Sequence, residues 1–239
     1  MTARRLQIEV AGIDAFLVRL GEAIDPALIP WVQAAALRLR ERLGGRLVEV
    51  VPSYTTILVQ YDLLREDAES MRRDLLAALE GLHPVAAGEG RLHEIPVYYA
   101  EEVGPDLPRI AARAGLTIEA LIALHSGRDY PVFAVGFAPC FAYLGLVDER
   151  LSTPRLASPR PRVPSGTLGI AERQTAVYPL DSPGGWNLIG RTPLRLFDPA
   201  HDPACGLAVG DAVRLKPIDR ATYLAMGGRL DDLPWGKPE

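Results

Sequence analysis

The chain has 239 residues, 48% hydrophobic and 23% charged, with a formal net charge of −4. That length holds one large domain or two small ones around a real core, and no stretch approaches the roughly 20 uncharged apolar residues of a membrane-spanning helix. Lysine is confined to Lys216 and Lys237 and no basic face is visible, so neither nucleic acid nor a membrane is expected as a partner.

The opening stretch MTARRLQIEV carries basic residues but no apolar run behind them, and a cytoplasmic protein is expected. In AFLVRL, Phe16, Val18 and Leu20 alternate as in a half-buried strand. Asp25 is placed to cap a helix beginning at Pro26, whose Leu28, Val32, Ala35, Leu39 and Leu43 form one apolar stripe ending at Gly44 and Gly45. RLVEVV and YTTILVQY read as a hairpin joined through Pro52 and Ser53. A second amphipathic helix, Glu66 to Glu80, aligns Ala68, Met71, Leu75 and Leu79 before Gly81. The order strand, helix, strand, strand, helix predicts a ferredoxin-like α+β domain over residues 1–84, with a boundary in the Pro- and Gly-containing LHPVAAGEGR.

LHEIPVYY restarts a strand, and DLPRIAARAG and TIEALIALHSG are two short helices. They faintly suggest a helix-turn-helix, but the second has no Arg or Lys between Thr117 and His125 and carries Glu119 toward what would be phosphate. Beyond residue 130 the helical period disappears. YPVFAVGF, TLGIAE, TAVYPL, WNLIGRTPLRLF and DAVRLKPI are short strand-like runs between Pro and Gly clusters, which predicts a closed or strongly curved all-β domain over residues 85–239. The prolines concentrated in residues 131–199 are expected to sit in loops, because inside central strands they would remove ladder hydrogen bonds.

Three places carry chemistry. In LSTPRLASPRPRVPSGTLGI the pairs Pro154-Arg155, Pro159-Arg160 and Pro161-Arg162 project guanidinium groups from a stiff loop, suited to planar binding of carboxylate or phosphate. The alternative is a solvated loop with these arginines paired to Asp148 and Glu149. In QTAVYPLDSPGGWNLIGRTP, Gly184 and Gly185 allow close backbone approach, Trp186 offers a flat wall with one donor, and Arg191 and Thr192 add polar contacts. Its alternative is a tight barrel corner with Trp186 in the core. His125, in HSGRDY, is a candidate acid–base group or a charged cap at a helix C-terminus. His83, His93 and His201 have no ligand spacing, so no metal is expected. Cys140 and Cys205 stand apart without CxxC spacing and are expected to be reduced. The sequence holds no GxxxxGK[ST], complete GxGxxG, GxSxG or HExxH, so any chemistry requires a partner.

The run GFAPCFAYLGLVDERLSTPRLASPRPRVPSGTLGIAERQTAVYPLDSPGGWNLIGRTPLRLFD resembles the signature of the KipI family, which supplies the B subunit of prokaryotic 5-oxoprolinase and is related to the first subunit of allophanate hydrolase. HSGRDYPVFAVGF before it and GLAVGDAVRLKPI near the end extend the resemblance over most of the chain. It implies an N-terminal α+β domain and a C-terminal cyclophilin-like β-barrel. It also implies two companions, a KipA-like C subunit and a LamB/YcsF-type A subunit, which together with this chain open 5-oxoproline to glutamate using ATP. Where the family turn reads Gly-Phe-x-Pro-Gly-Phe-x-Tyr-Leu, this chain has Cys140 at the second Gly, and Ser165 and Thr167 stand where Ala and Ser are commoner.

On that resemblance Phe137, Phe141 and Tyr143 are expected to form an apolar wall beside the Pro-Arg and Gly-Gly-Trp loops. Arg155, Arg160 or Arg191 would stabilise the anionic charge formed on activating the amide oxygen, and Gln174 and Tyr178 would orient the ring. Two other functions stay open: a regulator that binds and inhibits a histidine kinase, and a carboxyltransferase-type component of urea metabolism requiring a biotin-bearing partner.

Overall fold

The computed structural model describes residues 6–86, 90–200 and 204–235, so His201 and Lys237 lie outside the described residues. The chain divides into two compact units, residues 1–90 and 91–239.

In the first unit, strands β1 (Gln7–Gly12), β2 (Ala15–Arg19), β3 (Leu47–Ser53) and β4 (Thr56–Tyr61) pair antiparallel in the order β1-β2-β4-β3. Helices α1 (Ile29–Leu43) and α2 (Ala68–Leu79) pack their stripes, including Val32, Leu39, Met71 and Leu75, on Phe16, Val18, Ile57 and Val59 of the sheet. Ala68, expected in the second stripe, is exposed. The Asp25 carboxylate accepts from the Ala27 amide at 2.9 Å, but the cap opens a single 3-10 turn, Pro26–Leu28, and α1 follows it. Pro52 and Ser53 lie within β3 instead of in the hairpin turn, which falls at Tyr54 and Thr55. β1 went unpredicted because its residues are mostly exposed, leaving no alternation to read.

The second unit contains β5 (Leu92–Tyr98), α3 (Leu107–Ala114), α4 (Ile118–Ser126), β6 (Asp129–Val135), β7 (Ala142–Gly145), β8 (Arg160–Val163), β9 (Thr167–Ala171) and β10 (Gln174–Val177). It continues with β11 (Ser182–Gly184), β12 (Asn187–Arg191), β13 (Ala212–Ile218) and α5 (Arg220–Ala225), a helix that the loss of helical period after residue 130 concealed. Among the described residues seven strands close into a barrel in the order β6-β13-β5-β12-β9-β10-β7, with β7 returning to β6. Among the described barrel residues only the β13–β5 pairing is parallel. β8 and β11 form a separate two-stranded ribbon.

Alternation along the barrel strands makes two cores. Inward residues such as Val97, Val132, Leu144, Ile170, Val177, Ile189 and Leu215 meet Leu107 and Ile110 of α3 and Leu121 of α4. The helix pair, turned at Gly115 with φ 65°, is therefore part of the barrel's interior packing. Outward residues Ala171, Ala176, Tyr178 and Leu188 form a second core with Phe141, Val163 and Trp186. No helix among the described residues is long and apolar enough to cross a membrane.

The cysteines correct the expectation of reduced thiols. Cys140 and Cys205 are joined by a disulfide, their Cα atoms 5.4 Å apart across a sequence separation of 65. Linear spacing gave no hint of it, because the segment after β12 folds back onto the turn that precedes β7. Thiol titration of the native chain is expected to find no free cysteine, and two after unfolding in reductant. Reduction should lower stability to urea by about 2–4 kcal/mol, since a long closed loop is released; an unchanged midpoint would contradict the bridge.

Candidate functional site

The outer core is an aromatic cluster centred on Phe141. Its ring centroid lies 5.0 Å from Tyr143, 5.3 Å from Tyr178 and 5.6 Å from Trp186, each at a steep interplanar angle. Such edge-to-face pairs each add about 0.5–1.5 kcal/mol to area burial. Phe141 reaches the centre because the turn before it is left-handed at Phe137 (φ 73°) and Cys140 (φ 63°) and is closed by the Phe141 amide donating to Ala138 O at 3.0 Å. Cys140 thus occupies the glycine-type conformation of the family turn, with a cost of about 1 kcal/mol for its Cβ. Phe137 leans on Phe141 at 5.3 Å while remaining 70% exposed.

The Gly-Gly-Trp segment closes over this cluster. A Cβ on Gly184 would collide with the Tyr178 hydroxyl and ring, so glycine is required for the segment to lie this close. Burial pushes the Tyr178 phenol up to about 12, keeping it neutral. The carbonyl of Gly185 accepts from the Leu156 amide at 2.7 Å, stitching this segment to the Pro-Arg loop. Trp186 is 5% exposed, which makes it a core residue of the barrel corner.

The arginines that the sequence groups together have separate surroundings. Arg155 is exposed and lies over the Trp186 ring at 5.9 Å. The contact is a cation–π one, which places the guanidinium beside the indole without a hydrogen bond between them. Arg160 instead turns inward, donating to Asp106 at 2.8 Å and to the Trp186 carbonyl at 3.2 Å. Arg162 donates to Asp181 at 2.8 Å. None of the three uses Asp148 or Glu149, which take Arg150, Arg128 and Arg173.

Asp106, 6% exposed, escaped notice in the sequence because it reads only as the residue before a helix. Its carboxylate also accepts from the Leu188 amide at 2.7 Å and from Arg109 at 3.1 Å. Arg109 continues to the fully buried Asn187, whose amide group donates to the carbonyls of Pro154 and Ile170, both at 2.9 Å. One carboxylate and one carboxamide thereby fasten α3, β9, β12 and the Pro-Arg loop together. Asn187 stands beside Trp186 in the motif, which was the available signal.

Arg191 and Thr192 lie away from this cluster. Arg191 is 4% exposed and donates to both Asp232 oxygens, at 2.6 and 2.9 Å, and to the carbonyls of Ser165 and Arg229. Its Nε, Nη1 and Nη2 are thus all committed within the chain. The buried Thr192 hydroxyl accepts from the Leu194 amide at 3.2 Å. Both residues line a different cavity, with Asp181 and Tyr223.

His125 is fully buried, which corrects the expectation of a charged helix cap. Its ring nitrogens meet the Tyr99 hydroxyl at 3.0 Å and the Thr175 hydroxyl at 3.1 Å, on the inward side of the barrel wall. Burial, helped by Arg128, pushes its pKa down to about 3, so it is neutral. Gln174 begins β10 on the face shared with Ala176 and Tyr178, opposite Gly145 of β7. No cluster of metal-ligating side chains occurs among the described residues.

The chain belongs to the family of carboxyltransferase domains, subdomain C and D, whose family model matches residues 6–207. More particularly, it is similar to a Bacillus subtilis (strain 168) protein named as the B subunit of 5-oxoprolinase, with 38% identity over 92% of this chain and 96% of that one. A protein of the same name from Escherichia coli O157:H7 is 43% identical over 81% of this chain and 89% of its own length. The crystal structure of TTHA0988 superposes with a TM-score of 0.76 at 38% identity, covering 87% of this chain and 40% of that longer one.

Asp106→Ala leaves Arg160 Nη2 and the Leu188 amide without their carboxylate acceptor, and should cost about 3 kcal/mol in urea unfolding. A loss within experimental error would mean that the clamp is dispensable. His125 is held far below its ordinary value of 6.5, so the unfolded chain takes up a proton that the folded chain refuses. Stability should therefore fall as pH drops below 6.5, by up to about 1.4 kcal/mol per pH unit from this group. In His125→Gln the slope between pH 6.5 and 5 should flatten; an identical slope would contradict the buried neutral imidazole.

Proposed function

We propose that this chain is the B subunit of an ATP-dependent 5-oxoprolinase that opens 5-oxoproline to glutamate. The observation that carries this reading is the 38% and 43% identity to proteins bearing that subunit's name over most of both lengths. The barrel is read as cyclophilin-like and the first unit as a ferredoxin-like variant whose outer strand, β1, precedes the others. The companions are a KipA-like C subunit and a LamB/YcsF-type A subunit. The sequence offers no phosphate-binding loop, so ATP is assigned to those companions and no residue of this chain is given a role toward it.

Within this chain the substrate is assigned to the accessible rim of the aromatic cluster, Phe137 and Tyr143 with Arg155 beside them, backed by the buried Phe141, Tyr178 and Trp186. A five-membered lactam presents an apolar ring edge to that rim and its polar amide to the guanidinium. Charge that builds on the amide oxygen as the ring opens is met by a preorganised donor, and the cation–π contact places that donor beside Trp186 without a hydrogen bond between them. Arg160 acts as a positioning residue, because its donors are occupied by Asp106 and the Trp186 carbonyl. Gln174 is assigned to orienting the ring.

In a mixture of the three proteins, ATP consumption should depend on 5-oxoproline and yield glutamate. Arg155→Ala should lower turnover at least about tenfold with the complex still assembled, the scale of one lost charge-assisted contact in the transition state. Tight binding to a histidine kinase with no 5-oxoproline-dependent ATP consumption would overturn the reading in favour of the regulator.

A further inference from the structure

A cavity of about 440 Å3 opens where β12 runs into the segment that follows it, bounded on its far side by α5 and the glycine pair Gly227-Gly228. Its size lies within the roughly 300–1,000 Å3 of small-molecule sites. Leu180, Pro193 and Leu194 give it an apolar wall. Its charged lining is three arginines, Arg191, Arg195 and Arg229, against one carboxylate, Asp181.

Internal pairing removes part of that charge. Arg191 is matched by Asp232 in a two-point contact, so the buried floor is neutral. Asp181 is satisfied by Arg162 and by the Ser165 amide at 2.8 Å. Arg229 meets Asp231 only at 3.2 and 3.4 Å, with both side chains exposed, a contact of little energetic weight. Arg195 donates its Nε to the Phe197 carbonyl at 3.2 Å, and no carboxylate among the described residues pairs with it. Two guanidinium groups at the lip of an apolar hollow are thus left with donors to spare.

We propose that this cavity is a binding site for a small carboxylic acid, separate from the aromatic wall. The ligand's carboxylate sits between Arg195 and Arg229, and its carbon body lies against Leu180, Pro193 and Leu194. Planar, doubly donating guanidinium groups match a carboxylate. The site does not depend on the assignment of Arg155 above.

The test is a ligand-observed NMR titration of the full chain with glutarate and with 5-oxoproline, using 2-pyrrolidinone as a neutral lactam of the same ring size. Arg195→Ala and Arg229→Ala are suitable variants. Both side chains are exposed, and the bonds that Arg229 makes to Arg191 and Tyr223 use its backbone, so folding is retained. Saturable binding of the acids is expected, with glutarate binding weakened about five- to twentyfold by either variant. Absence of acid binding, equal binding of 2-pyrrolidinone, or affinities untouched by both variants would overturn the proposal. Glutarate binding without 5-oxoproline binding would uphold the cavity as a carboxylate site while counting against the 5-oxoprolinase reading.

Discussion

The outer surface of the barrel depends on one buried carboxylate. Asp106 gathers the Arg160 guanidinium, the Arg109 guanidinium and the Leu188 amide, and through Arg109 it reaches Asn187. A carboxylate in so dry a position is tolerated only because its oxygens are filled by charged and backbone donors. Those donors come from α3, from β12 and from the Pro-Arg ribbon, so satisfying Asp106 requires the ribbon to lie on the barrel wall. Once it does, Arg155 stands over Trp186 and the aromatic cluster acquires its cationic edge.

Arginine serves four purposes within this unit, and geometry alone separates them. Arg155 is held beside an indole without a hydrogen bond between them. Arg160 spends its donors on architecture. Arg191 is buried as the charged half of a pair with Asp232. Arg195 and Arg229 flank a hollow with apolar walls. Burial and partner decide whether a guanidinium can serve a ligand, and neither is a property of the residue itself.

The disulfide links the surroundings of the two candidate sites. Cys140 immediately precedes Phe141, the hub of the aromatic cluster, and Cys205 closes the segment whose beginning, Pro193 to Arg195, lines the arginine cavity. Around Cys205 that segment is held by the Asp198 amide donating to Ala204 O at 3.0 Å. The left-handed turn at Cys140 and the wall of the cavity are therefore parts of one covalently tied structure.

The sequence by itself determined the elements whose burial is periodic: the stripes of α1 and α2, the alternating β2 and β4, and the short Pro-punctuated strands that announce a β-rich second unit. It also placed Phe141, Tyr143, Tyr178, Trp186 and the Pro-Arg loop in the same neighbourhood, since their motifs are long and specific. Only the tertiary structure decided which guanidinium faces outward, that His125 is sealed and neutral, and that Arg191 and Thr192 belong to another cavity. Only it paired two cysteines 65 positions apart. Periodicity records which side of an element is dry and is local, whereas a polar side chain's role is set by partners brought from distant strands, and those become definite only when the barrel closes.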